Sequence, residues 1–350
     1  MSIKCLKSMV LLMVLTMSFS LWANTAPKVR NVRVSQKTDD SKLVDIYYDL
    51  IDEDGDACTV WVAVSDDGGV SWTVPVDNFS GIGPGKTPDS DKHILWDAGK
   101  DMPGKRGSFK LRVWADDGKG SESMVVVPAG SFAYQGDYAN RVNLEAFMIS
   151  KYETTNQQYC EFLNAADPDG SNWSSGQEIV RKGDAGNYYY EVKAGRESYP
   201  VRYVSKLDAD AYAIWKSSVT GLNYRLPTEQ EWEKAAGWNP DSQYLFTYAY
   251  QSNTITSIYC NYNNAYGGPL PVGSFNGTGG KNDAKSYYGC YDMSGNVWEW
   301  TSSSYNSTYL VIRGGNWSSV ATGVAVTYRD SYGAPTGRSN SFGFRLVLDL

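Results

Sequence analysis

The fold of the second half of the chain is decided by one stretch, Gly295-Asn296-Val297-Trp298-Glu299-Trp300-Thr301. Successive side chains of a β-strand point to opposite faces, so this pattern predicts a strand with both indoles on one side and the Glu299 carboxylate on the other. Downstream, Arg313 and Arg345 are expected to be partners of buried carboxylates or carbonyls rather than substrate clamps. The motif is therefore mainly structural.

Helical patterns precede this strand. Thr228-Glu229-Gln230-Glu231 is a capping box, and Gly237 follows as a C-terminal stop. An earlier helix is predicted after the cap Thr154-Thr155. Another helix is predicted after Ser205, and its apolar residues at helical spacing are Leu207, Ala211, Ile214 and Trp215.

Four further motifs surround the tryptophan strand in a fixed order. They are Lys151-Tyr152-Glu153-Thr154-Thr155-Asn156, Arg225-Leu226-Pro227-Thr228-Glu229-Gln230-Glu231-Trp232-Glu233, Arg313-Gly314-Gly315-Asn316-Trp317 and Gly343-Phe344-Arg345-Leu346. Together the five motifs resemble the formylglycine-generating enzyme family, also called sulfatase-modifying factors, over residues 124–350. The resemblance implies an α+β domain of C-type-lectin-like fold with extensive irregular structure.

Residues 27–118 have a different pattern. Short alternating strands are predicted at Lys42–Leu50, Thr59–Ser65 and Phe109–Ala115, with acidic turns between them and no helical period. About ninety residues of short strands favour an all-β sandwich of immunoglobulin or fibronectin type. The segment Gly118-Lys119-Gly120-Ser121 is the most linker-like stretch before the second domain.

The N-terminus has the pattern of a bacterial secretory signal. Lys4 and Lys7 precede an apolar run, and residues 1–23 are expected to be removed by cleavage after Ala23. The apolar run is too short and interrupted for a stable membrane span, although an uncleaved anchor is the alternative. We therefore expect a secreted, periplasmic or envelope protein.

Export permits disulfides among the four cysteines of the mature chain, Cys58, Cys160, Cys260 and Cys290. Three full pairings are possible, and Cys260–Cys290 is favoured because both residues lie in the second domain. Free buried thiols are the alternative for each cysteine.

Composition excludes several classes of function. The net charge of −7 and pI near 4.9 argue against nucleic-acid partners, which require a basic face. The single histidine, His93, leaves no means of building multi-histidine iron or zinc sites. The acidic run 52–56 is interpreted as a hairpin turn, because its glycine comes too early for a calcium loop.

The resemblance implies a possible calcium cofactor. Its oxygen ligands would be Asn296, Val297 and Glu299, with Asn261 and Tyr262 as a fainter second position. The alternative is a turn asparagine and a hydrogen-bonded glutamate.

The chain also departs from the family pattern. Members that oxidise a substrate cysteine bind copper through two cysteines shortly after the Arg-Gly-Gly motif, where thiolates suit Cu(I). Here Ser319 and Val324 stand at about those positions, and no cysteine follows Cys290. Copper-dependent formylglycine generation is therefore not expected, and neither copper nor iron is an expected cofactor.

Three functions remain open. The first is a non-catalytic binding protein for an unknown protein, peptide or glycan ligand outside the cytoplasm, with residues 316–341 as its binding surface. In some exported relatives a retroelement diversifies this segment, and ordinary binding or packing variation is the alternative here. The second is an enzyme that uses Glu153, Glu231 or Glu299, and the third is a structural envelope component. The candidate ligand-binding residues are Asn316, Ser318, Ser319, Thr322, Tyr328, Asp330, Tyr332 and Asn340.

Overall fold

The structure is a computed structural model, and it describes residues 27–66, 74, 76, 78–105, 107–116, 124–220 and 222–349. Two predictions lie outside the described residues: the leader at 1–23 and the linker at 118–121. Among the described residues, no helix has the length and hydrophobicity needed to span a bilayer.

Residues 28–116 form two antiparallel sheets, ordered β1-β2-β6-β4 and β5-β3-β7. Side chains from both sheets share one apolar cluster that includes Ile46 and Val60. The three predicted strands are confirmed to within one or two residues at each end. The similarity to an immunoglobulin or fibronectin fold stays a prediction. The elements are β1 Lys28–Gln36, β2 Leu43–Ile51, β3 Cys58–Ser65, β4 Phe79–Ser80, β5 Gly83–Lys86, β6 Asp89–Asp97, the single helical turn α1 Ala98–Asp101, and β7 Lys110–Asp116.

Residues 124–349 combine three helices with short strands. Two four-stranded sheets, ordered β14-β21-β11-β8 and β19-β18-β17-β20, stand beside three two-stranded hairpins. Two short 3₁₀ turns, Tyr134–Gly136 and Ala321–Val324, complete the regular structure. The elements are β8 Met124–Val127, β9 Gly130–Phe132, β10 Val142–Leu144, β11 Phe147–Ser150, α2 Asn156–Ala166, β12 Ile179–Lys182, β13 Tyr189–Val192, α3 Lys206–Thr220, β14 Tyr224–Arg225, α4 Glu229–Gly237, β15 Trp238–Asn239, β16 Tyr244–Leu245, β17 Trp298–Ser304, β18 Leu310–Arg313, β19 Asp330–Tyr332, β20 Phe342–Gly343 and β21 Val347–Asp349.

The predicted capping of two helices is confirmed. Thr155 caps α2 and forms a reciprocal box with Gln158, and Thr228 does the same with Glu231 at the start of α4. Arg225 holds Glu231 through two hydrogen bonds of 2.8 and 2.7 Å. The entry into α4 is therefore fixed by a local box and a neighbouring strand.

Helix α3 forms where predicted, but only two of the four residues at the predicted spacing, Ala211 and Trp215, pack against the core. Leu207 and Ile214 are 50% and 70% exposed, and the buried face carries Asp208 and Tyr212 instead. The reason is that Asp208 accepts two hydrogen bonds of 2.6 Å from Arg338, far along the chain, which turns this row inward. Tertiary pairing thus overrides the apolar pattern.

Strand β17 separates two apolar clusters, as the alternation predicts. Trp298 and Trp300 belong to one cluster, whereas Glu299 points toward Trp232, which belongs to the other. The strand is therefore a central partition of the domain, and its polar side chain is enclosed on all sides.

The preference for a Cys260–Cys290 disulfide is wrong. Cys260 and Cys290 are free thiols, as is Cys160, and all four cysteines among the described residues are buried. Cys290 lies in the apolar cluster around Trp232, and burial raises the pKa of its thiol to about 11. These thiols therefore act as small apolar core groups.

Candidate functional site

Glu299, a predicted metal ligand, is fully paired in the core. Its two carboxylate oxygens accept hydrogen bonds of 2.7 Å from Nη2 and Nε of Arg345, and Oε2 also accepts one of 2.8 Å from Trp232 Nε1. Neither charged side chain has any exposed surface. Both oxygens of Glu299 are thus hydrogen-bonded, and its role as a metal ligand stays a prediction.

Asn296 and Val297 surround a second buried carboxylate, that of Glu153. Asn296 Nδ2 donates to Glu153 Oε2 at 2.8 Å, and the Val297 amide donates to Oε1 at 3.2 Å. Asn296 has a left-handed φ of +64°, a conformation that asparagine tolerates better than most residues. This conformation brings its side chain and the next amide to the same carboxylate.

Asn261 lies beside Asn296 and carries an unsatisfied oxygen. Its Nδ2 donates to Asn296 Oδ1 at 3.2 Å and to the Gly268 carbonyl at 2.9 Å. Its buried Oδ1 meets no hydrogen-bond donor within the described part of the chain. Of the five predicted metal ligands, Asn261, Asn296 and Val297 are therefore in one place, with half-buried Tyr262 adjacent in sequence.

The interior around these residues contains more acidic than basic groups. Burial raises the pKa of Glu153 well above its usual range, and the negative charges of Asp292 and Glu299 raise it further. Burial also raises the pKa of Asp292, which accepts a 2.6 Å hydrogen bond from the Gly273 amide, to about 6. Sequence reasoning missed Asp292, although it precedes the tryptophan motif by only a few residues.

The first part of the segment 316–341 is a tight turn. The buried Oδ1 of Asn316 accepts hydrogen bonds from the Ser318 and Ser319 amides at 2.8 and 3.0 Å. Asn316 therefore shapes the turn, whereas Ser318 and Thr322 are exposed. Ser319 is half-buried and Val324 is fully buried.

Tyr328 and Tyr332, both predicted to contact ligand, differ in exposure. Tyr328 is 40% exposed and its ring lies 6.0 Å from that of Trp298. The half-buried Tyr332 packs its ring against Trp300 and Phe342, at 6.0 and 4.8 Å. The Tyr332 ring therefore packs against the core, whereas the Tyr328 ring is the more accessible of the two.

The remaining predicted residues are divided in the same way. Asp330 is half-buried on β19 opposite Ile312, whereas the side chain of Asn340 is exposed. The exposed members of the predicted set are therefore Ser318, Thr322, Tyr328 and Asn340.

Helix α4 holds the chain at Tyr328 and at the residue that follows it. Its Glu233 pairs with Arg313, whose Nη1 donates to the Tyr328 carbonyl at 3.2 Å, and neither charged side chain is exposed. Its Glu229 accepts hydrogen bonds of 2.5 and 2.7 Å from Arg329. The ring of Tyr328 is thus exposed, while hydrogen bonds hold the backbone that carries it.

Arg202 and Trp317 join this surface without having been predicted. Arg202 Nη1 donates to the Asn340 carbonyl at 2.9 Å and Nη2 to Glu178 Oε1 at 3.2 Å. The guanidinium carbon lies 5.5 Å from the centre of the Trp317 ring. Arg202 lies in no periodic pattern and in none of the motifs, so no sequence signal pointed to it.

The described residues of this surface include no thiol and no imidazole. It offers hydroxyls, amides, aromatic rings and a guanidinium, while the described cysteines are all buried. His93, the one histidine of the chain, pairs with Asp45 at 2.8 Å within the first unit. Stacking and hydrogen bonding are the interactions that this arrangement supports.

The fold and the site define an α+β domain with paired interior charges and a polar, aromatic exposed segment. Residues 112–350 match the family described as sulfatase-modifying factor enzyme 1-like domain. The chain belongs to this family of formylglycine-generating-enzyme-like domains.

Similar proteins include enzymes and an inactive member. The chain is 27% identical over 274 residues to hercynine oxygenase of Mycolicibacterium smegmatis, covering 65% of this chain and 61% of that protein. It is 28% identical over 286 residues to inactive C-alpha-formylglycine-generating enzyme 2 of Bos taurus, covering 66% of this chain and 90% of that protein. The crystal structure of CarF, 24% identical, covers 65% of this chain and 98% of its own with a TM-score of 0.52, which shows a shared fold.

Proposed function

We propose that this protein is an exported, non-catalytic ligand-binding protein, with residues 316–341 contributing its binding surface. The observation that carries the proposal is the chemistry at Ser319 and Val324, where the family resemblance places copper thiolates. A half-buried hydroxyl and a fully buried aliphatic group stand there. Neither replaces the soft sulfur ligands that Cu(I) requires.

An enzyme based on carboxylates is the weaker alternative. Glu153 and Glu299 are fully buried, and Glu231 is held by Arg225 and its own helix cap. Each carboxylate therefore already has a structural role. The relatives include one named an oxygenase and one named inactive, so family membership is compatible with a non-catalytic protein.

The exposed segment supports binding. Tyr328, Ser318 and Asn340 are of the residue types that make adaptable recognition surfaces in antibody loops. The braces from α4 hold the backbone at Tyr328, so less conformational entropy is lost when a ligand is bound. A rigid scaffold with polar and aromatic side chains facing solvent suits recognition.

Calcium is a proposed structural cofactor near Asn261. The residues fit in part, because the buried Asn261 Oδ1 lacks a donor and two carboxylates, those of Glu153 and Asp292, lie in the same interior region. Hard oxygen ligands of this kind suit calcium. Glu299 fits less well, because Arg345 already occupies both of its oxygens.

The first unit, residues 27–118, is proposed to be an immunoglobulin- or fibronectin-like sandwich that carries the binding domain outside the cytoplasm. Its two sheets around one cluster support this assignment. Export rests on the leader pattern at residues 1–23.

The proposal is tested by offering a cysteine-containing sulfatase peptide to copper-loaded protein. We expect no aldehyde product by mass spectrometry, with an active formylglycine-generating enzyme as the positive control. A variant carrying Ser319→Cys and Val324→Cys, assayed in parallel, checks whether the scaffold binds Cu(I) once two thiols are supplied. Conversion of the peptide by the unmodified protein would overturn the non-catalytic assignment.

A further inference from the structure

A mixed-charge corner lies at the edge of the proposed binding surface. It consists of Arg202, Glu178, Lys193 and Trp317, and we call it the Arg202 corner. Glu178 accepts from Arg202 and also lies 3.1 Å from Lys193 Nζ. The Arg202 and Glu178 side chains retain 15% and 22% exposure, and the corner adjoins exposed Asn340 through the Arg202–Asn340 hydrogen bond.

The charges of this corner discriminate among ligand classes. The Glu178 carboxylate would repel an anionic group, and Arg202 and Lys193 would repel a cationic group. A neutral hydroxyl can both donate to a carboxylate and accept from a guanidinium. Adjacent hydroxyls on one ligand therefore satisfy both members of an ion pair whose atoms are 3.2 Å apart.

Trp317 adds an apolar surface to these polar groups. Its half-buried indole has the Arg202 guanidinium over the ring, with the guanidinium carbon 5.5 Å from the ring centre. The Trp317 amide donates a 2.9 Å hydrogen bond to the Asn296 carbonyl. A pyranose ring presents C–H groups on its face and hydroxyls around its rim. Such a ring can pack on the indole while its rim reaches Arg202 and Glu178.

We infer that the ligand is a neutral carbohydrate, bound with a pyranose ring against Trp317 and its hydroxyls on Arg202 and Glu178. This inference rests on the proposed binding function and names the ligand class for the same surface. An extended peptide is the competing ligand class, and the experiment separates the two.

The test uses the full mature chain and soluble probes. Cellohexaose, chitohexaose and mannohexaose are titrated by calorimetry, with polygalacturonate as the anionic comparison. We expect at least one neutral hexasaccharide to bind and polygalacturonate to bind more weakly. Trp317→Ala should weaken binding at least about tenfold, as expected for an aromatic anchor, while Trp317→Phe retains most of the affinity.

Controls separate loss of the site from loss of the fold. Tyr189→Ala removes a ring that is 50% exposed on the hairpin β12–β13 and should leave affinity unchanged. Circular dichroism melting of every variant should match the parent to within a few degrees.

Two results would overturn the inference: no neutral hexasaccharide binds at millimolar concentration, or the Trp317→Ala variant binds as well as the parent. If an arrayed peptide binds and Tyr328→Ala abolishes its binding while no saccharide binds, the ligand class is wrong and the binding function stands. If the surface binds neither class, the inference and the proposed function both fail.

Discussion

Strand β17 and the segment 316–341 are neighbours, but polar side chains are buried and paired in the strand and partly exposed in the segment. In the strand, Glu299 has no exposed surface and both of its oxygens are bonded to Arg345. In the segment, Tyr328 and Asn340 face solvent, while the backbone beneath Tyr328 is tied to helix α4.

This difference separates residues that hold the scaffold from residues that can recognise a ligand. Charged groups in the core are costly unless paired, and a paired group with no exposed surface cannot reach a ligand. We therefore interpret Glu153, Glu231 and Glu299 as scaffold residues and assign the proposed function to the Ser, Asn and Tyr residues of the segment.

The largest effect is expected from breaking the core pair. Arg345→Ala leaves the Glu299 carboxylate buried without its partner, so the free energy of unfolding should fall by about 3–5 kcal/mol. Urea denaturation measures this change. Lys285→Ala, which removes an exposed partner of Asp283, should cost less than about 1 kcal/mol. Equal losses in the two variants would erase the proposed distinction between core and surface charges.

A smaller effect should distinguish the two tyrosines of the segment. Tyr332→Ala removes a ring packed on Trp300 and Phe342 and should cost about 2–4 kcal/mol of unfolding free energy. Tyr328→Ala removes a solvent-facing ring and should cost less than about 1 kcal/mol. Thermal and urea unfolding of both variants check this contrast, and a reversed order would contradict the assignment of Tyr332 to the core.

The buried acidic groups should make stability depend on pH. Burial raises the pKa of Asp292 from its usual value of 3.8 to about 6. Between these two pH values the native state therefore holds a proton that the unfolded chain releases. Its stabilising contribution is complete below about pH 4 and is lost as pH rises through about 6, by about 1–3 kcal/mol. The raised pKa of Glu153 acts in the same direction.

Asp292→Asn supplies the matched variant for this pH effect. A chelator is present so that no bound metal offsets the buried charge. Between pH 4 and 6, the unfolding free energy of the variant should then fall much less than that of the parent. A parent protein whose stability rises over this range would show that the acidic cluster is differently arranged.

The smallest effect concerns calcium. If calcium uses the unsatisfied Asn261 oxygen, calcium at ten times its Kd should add about 1.4 kcal/mol to the unfolding free energy. Asn261→Ala should lose this gain, whereas magnesium should not replace calcium, because it demands stricter octahedral geometry. Calorimetric melting with each ion measures the difference, and an undiminished calcium gain in Asn261→Ala would place the ion elsewhere.

Local features of the fold could be read from the sequence. The caps at Thr155 and Thr228 and the alternation in β17 depend on neighbouring residues, so their patterns sufficed. The buried face of α3 could be predicted only in part, because it also depends on pairing between Asp208 and the distant Arg338.

The candidate site was only partly predictable for the same reason. Exposed Tyr328 and Asn340 lie in the segment marked by flanking motifs, whereas Arg202 reaches Asn340 from an unmarked position 138 residues earlier. Likewise, the contact between Glu153 and Asn296 joins motifs 143 residues apart. Sequence spacing alone does not show which motifs meet in space.

The most direct test of the central claim is a binding measurement on one array of purified glycans and peptides. Three proteins are applied at equal concentration: the mature parent, Tyr328→Ala and the control Tyr189→Ala. Their melting temperatures are first measured and shown to agree. We predict that the parent and Tyr189→Ala capture the same ligand and that Tyr328→Ala binds it at least about tenfold more weakly. Equal capture by all three proteins would show that the segment around Tyr328 does not form the binding surface.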